Sequence, residues 1–110
     1  MTKPFRSKKL TDSAKDQSCI RFGRNDGTVC ARHYCGLWQY AYGKGRGQKC
    51  SDLQSAEFCE SCDQIYSEGN FDAWKNVPAE WRHHVKAADF LHFIAMTNLR
   101  RLERGILGVK

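Results

Sequence analysis

The pair Cys59-Glu60-Ser61-Cys62 constrains this chain more than any other feature. A C-x2-C knuckle turns the backbone so that both thiolates reach one zinc ion, at about 2.3 Å each. Two ligands do not make a site, so further ligands are needed upstream. Six cysteines are present: Cys19, Cys30, Cys35, Cys50, Cys59 and Cys62. In an oxidising compartment they would suggest disulfides; in a reducing one, metal ligation is the better reading. The basic N-terminus has no apolar stretch behind it and does not read as a signal peptide. No apolar run is long enough to span a membrane. A cytoplasmic location is therefore expected, and metal is preferred over disulfides.

Cys19 is the natural third ligand. It precedes the turn-rich Gly23-Arg24-Asn25-Asp26-Gly27. A second knuckle would place a cysteine at position 22, but Phe22 stands there. The fourth ligand is then Cys30, Cys35, Cys50 or a histidine; Cys30 is carried in the candidate zinc set with Cys19, Cys59 and Cys62.

With 110 residues, a single domain is expected. Residues 1–18 are polar and basic without periodicity and read as an arm that orders on a partner. Residues 19–42 suggest a hairpin about Asn25-Asp26-Gly27, with Thr28-Val29-Cys30-Ala31 as a strand. A short helix is expected over 60–68, ending at Gly69. Pro78 suits a first helical turn. Beyond it Trp81, Val85, Ala88, Leu91, Ile94, Ala95, Leu99 and Leu102 recur near helical spacing, with a break near Asp89 open and Gly105 as the stop. For Trp38, Tyr40, Tyr42, Trp74 and Trp81 core packing is the expectation, with a partner interface the alternative.

The formal net charge is +6, which favours polyanions. Basic residues cluster in Gly43-Lys44-Gly45-Arg46-Gly47-Gln48-Lys49. Such a loop lets backbone approach phosphates while Lys44, Arg46 and Lys49 neutralise them. Arg100 and Arg101, in the last turns of the long helix, suit either solvent or phosphate. His33 ends the expected strand, and Asp63 directly follows the knuckle. A zinc-pinned unit can bring them face to face, the imidazole taking a proton from water and the carboxylate holding Mg²⁺ or Mn²⁺ against a phosphate. Asp52 can orient His33 or join the metal shell.

The order Cys19, Asp26-Gly27-Thr28-Val29, His33, Gly43-Lys44-Gly45-Arg46-Gly47, Lys49, Asp52, Ala56, Cys59-x-x-Cys62 and Asp63 resembles phage- and prophage-encoded HNH-like nucleases of the YbcO-like family. The tail Thr97-Asn98-Leu99-Arg100-Arg101-x-x-x-Gly105 is similar as well. The resemblance implies an α+β fold: a small zinc-stabilised ββα-metal domain (treble-clef, HNH-like) over residues 19–110, with a long C-terminal helix. It implies hydrolysis of DNA phosphodiesters, with His33 as general base and position 63 as a ligand of the catalytic ion. The chain departs from the family at Phe22, where a cysteine is usual, and at Asp63, where histidine is usual. Three functions follow as expectations: an endonuclease, a non-catalytic nucleic-acid-binding zinc module, and a phage factor that binds a host protein. A homodimer would suit cleavage of two strands.

Overall fold

The computed structural model describes residues 5–44, 48–67 and 74–107. Its elements are α1 (Lys8–Asp12), β1 (Cys30–His33), β2 (Ser55–Phe58), α2 (Glu60–Ser67) and α3 (Arg82–Glu103). The architecture is α+β, with a two-stranded antiparallel sheet and a long C-terminal helix. The register pairs Cys30 with Phe58, Ala31 with Glu57, Arg32 with Ala56 and His33 with Ser55.

The expected hairpin about Asn25-Asp26-Gly27 is corrected by this pairing, because β1 takes its partner from residues 55–58. The Asp26 turn has another task. Its Oδ1 accepts the Thr28 amide at 3.0 Å and the Thr28 hydroxyl at 2.6 Å. The same hydroxyl accepts the Glu60 amide at 3.0 Å, satisfying an open N–H at the start of α2. One short polar network thus ties the turn before β1 to the helix that carries the knuckle.

Strand β2 is buried at all four positions. Helix α3 packs against it, and Phe58 stacks on Tyr66 of α2 at 4.9 Å, so burial on both faces erases the alternation by which a strand is recognised. Tyr34, Phe58, Tyr66 and Phe90 form the aromatic centre of the core.

Helix α3 is continuous, without a break at Asp89; that carboxylate accepts the indole N–H of Trp74 at 3.0 Å. Its buried residues are Lys86, Ala87, Phe90, Ile94, Thr97 and Arg101. The expected apolar stripe is therefore rotated, and Ala88, Ala95, Leu99 and Leu102 are exposed. The reason is polar: Thr97 Oγ1 accepts the Glu57 amide at 3.2 Å, and Arg101 donates to the Ser55 carbonyl and hydroxyl at 3.2 and 2.9 Å. Gly105, at φ 74°, stops the helix.

Of the expected N-terminal arm, residues 1–4 lie outside the described residues, and residues 5–18 are packed. Ser7 caps α1 by accepting the Leu10 amide, and Leu10 and Ala14 are buried. The Arg6 guanidinium donates to the carbonyls of Lys49 and Cys50 at 2.7 and 2.5 Å.

Candidate functional site

Cys19, Cys59 and Cys62 are buried with their sulfurs all within 4.8 Å of one another. A tetrahedral ion with bonds of about 2.3 Å sets its sulfurs about 3.8 Å apart. The Cys19 and Cys62 sulfurs are 3.6 Å apart, so the spacing fits such an ion. Burial opposes ionisation of Cys19, but the amides of Cys59, Phe22 and Arg21 point at its sulfur and hold its pKa below that of a free thiol. Cys62 is pushed up to about 12, first by burial and then by its thiol neighbours. These thiols can hold a metal ion such as zinc, whose charge would offset the cost of burying thiolates.

Among the described residues no fourth ligand is found. Cys30 is exposed and separate from the cluster, which corrects its place in the candidate set. It lies on β1 opposite Phe58, whereas the cluster gathers where Cys19 meets the start of α2. Cys50 is buried elsewhere, its thiol 3.4 Å from the Gln39 carbonyl. Phe22, where a second knuckle cysteine would stand, is 55% exposed. Among the described residues no further histidine, cysteine or carboxylate completes the cluster.

A cleft of about 310 Å³ opens beside the sheet, lined by Ala31, Arg32, His33, Tyr34, Cys35, Lys44, Lys49 and Asp63. The residues come from separate elements. His33 ends β1, Asp63 lies in the first turn of α2, and the lysines belong to the loop between the strands. The knuckle fixes Asp63 in place: its amide donates to the Cys59 carbonyl at 3.0 Å. Arg46 lies outside the described residues.

Asp52 is buried beneath the cleft and holds His33, with Oδ1 2.7 Å from the ring Nε2. It also accepts the Ser7 amide at 2.6 Å, and Arg6 lies 3.4 Å away. Burial works against its ionisation, but His33, Ser7 and Arg6 together hold its carboxyl below the usual range. An ionised Asp52 accepts a hydrogen bond from Nε2–H, so Nδ1 is the ring nitrogen left to accept a proton. Asp52 is thus a positioning residue.

Arg32 escaped the sequence reading. It lines the cleft, donates to the Thr28 carbonyl at 2.9 Å, and stands 3.7 Å from the Asp63 carboxylate. The only sequence signal was its place one residue before His33, on a strand whose course was not recognised.

Arg100 and Arg101 are both engaged by groups of the protein itself. Arg101 is 0% exposed and bonded to Ser55 and Asn98; burial pushes its pKa down to about 10. Arg100 donates to Glu57 at 2.7 Å and to the Ser18 carbonyl at 2.8 Å, and Arg104 meets the other Glu57 oxygen at 2.8 Å. Glu57, fully buried in β2, draws these cations inward.

No known protein family, curated protein or solved structure matches this chain. Function therefore rests on the residues and their geometry. No helix among the described residues is long and apolar enough to cross a membrane.

Proposed function

We propose that the chain is a metal-dependent endonuclease of the ββα-metal, HNH-like type, hydrolysing phosphodiester bonds in DNA. One observation carries the reading: a single cleft gathers an oriented imidazole, a carboxylate and two lysines, His33, Asp63, Lys44 and Lys49. The order β1, β2, α2, with the knuckle at the start of α2, supports the ββα unit. The three clustered, buried thiols support zinc as the structural metal at Cys19, Cys59 and Cys62.

In this reading His33, held through Nε2, accepts the proton of the attacking water at Nδ1. Asp63 is a hard oxygen donor, partly exposed in the cleft, and suits Mg²⁺ or Mn²⁺. A divalent ion bound there supplies Lewis acidity at the phosphate and stabilises the leaving oxygen. Lys44 and Lys49 neutralise the flanking backbone, and Arg32 adds a third cation near the scissile group. The test is DNA cleavage with Mg²⁺ or Mn²⁺ by the wild type and by Asp63→Asn. Cleavage lost on substitution, with the fold intact, supports the reading; a wild-type protein that cuts no DNA with either ion defeats it.

The Arg32–Asp63 pair at 3.7 Å favours a second reading. An arginine that neutralises the carboxylate suits a nucleic-acid-binding zinc module without catalysis. Salt-sensitive binding without metal-dependent cleavage would identify it.

A further inference from the structure

Two indole rings stand on the surface with one imidazole between them. Trp38 is 58% exposed and Trp81 57%, contrary to the expected core packing. The His84 ring centroid is 6.1 Å from that of Trp38 and 5.9 Å from that of Trp81, tilted by 54° and 56°. These separations lie within the range of interacting aromatic rings.

The backbone at Trp38 is unusual. At φ 64° it is the single non-glycine residue with positive φ among the described residues. That conformation is unfavourable for a residue that carries a side chain. Side-chain burial does not explain it, because the ring projects into solvent.

The platform adjoins the cleft. Trp38 follows Cys35, which lines the cleft, by three residues, a chain reach of at most roughly 11 Å. The next residue, Gln39, accepts through its carbonyl the amide of Lys44, another lining residue, at 3.3 Å. Beside Trp81 in the chain, Arg82 and His83 bring positive or protonatable groups, against Glu80. An exposed aromatic row fits either an apolar protein patch or the faces of nucleobases. The cationic surroundings and the continuity with Lys44 favour the nucleic acid. Bases inside a duplex already stack on each other, so only unpaired ones present a free face.

We infer that Trp38, His84 and Trp81 form a stacking platform for unpaired bases of a strand whose backbone runs on into the His33 cleft. This deepens the nuclease reading and rests on it for the direction of the strand: the substrate is single-stranded, or carries unpaired nucleotides beside the cut.

The test is fluorescence anisotropy with a labelled oligothymidine and a labelled duplex of equal length, without added Mg²⁺ or Mn²⁺. Stacking contributes about 1–3 kcal/mol per base. Trp38→Ala and Trp81→Ala are each expected to weaken oligothymidine binding by roughly 5- to 150-fold and leave duplex binding within about twofold. Trp38→Phe retains most of the affinity, because a ring remains. Oligothymidine affinity unchanged in both alanine variants, with unchanged melting temperatures, overturns the platform. A response to neither oligonucleotide also overturns it. The two readings separate on the same samples with metal added. Cleavage that needs His33 but ignores both tryptophans sinks the platform alone. Tryptophan-dependent binding without cleavage under any metal sustains the platform and sinks the nuclease.

Discussion

His33 Nε2 and Asp52 Oδ1 meet at 2.7 Å, and through this contact the N-terminal segment reaches the cleft. Ser7 and Arg6 hold the other side of Asp52, so the imidazole is oriented by a carboxylate that is itself fixed. Asp52→Asn keeps the shape and removes the charge. It is expected to lower cleavage by at least roughly tenfold, as loss of a partner that orients a functional histidine does. DNA binding, read by anisotropy, should be unchanged.

The same carboxylate gives a pH prediction. Its folded-state pKa lies below the ordinary 3.8. Asp52 therefore adds stability that is complete above that value and is lost as pH falls through the folded pKa. Thermal melts of the wild type should lose stability below about pH 4. Asp52→Asn should show a shallower acid slope, having no carboxylate to protonate. Equal slopes would count against the network.

The thiol cluster predicts zinc content. Purified protein should carry zinc, and Cys59→Ser should lose it along with much of its thermal stability. Cys30→Ser should keep both, because that thiol is exposed and apart. Phe22→Cys, placed where a fourth ligand would stand, should slow zinc loss to a chelator. Metal analysis and chelator competition check all three variants.

Glu57 gives Arg100 and Arg104 a structural role. It is fully buried against Arg100 and Arg104. Glu57→Gln leaves cations facing inward without their counter-charge, at a cost of roughly 3–5 kcal/mol. For a chain of this size that lowers the melting temperature by more than about 10 °C. Lys44→Ala and Lys49→Ala should instead spare stability and each reduce the salt slope of DNA binding by about 1. Arg100→Ala should not change that slope.

Short-range chemistry was legible in the sequence. The knuckle, Cys19, the Gly105 stop and the start of α2 follow from local spacing and turn residues, and the structure places them accordingly; the expected end of α2 at Gly69 lies outside the described residues. The placement of His33 and Asp63 was reached through the order of motifs and the zinc-pinned unit, and both line the cleft. Long-range relationships were not legible. β2 has both faces covered, so its residues carry no period to read. The face of α3 is set by Lys86, Thr97 and Arg101, polar residues that an apolar count assigns to solvent. Arg6 binds backbone carbonyls more than forty residues away, and no pattern in residues 1–18 announces that.

The most direct test of the central claim is metal-dependent cleavage by His33→Ala beside the wild type, on single-stranded and branched DNA with Mn²⁺, in protein matched for zinc content and DNA affinity. The wild type should cut, and His33→Ala should fall by a factor of about 100 or more, as loss of a general base does. Equal rates for the two proteins, or no cutting by the wild type with Mn²⁺ or Mg²⁺, would contradict it.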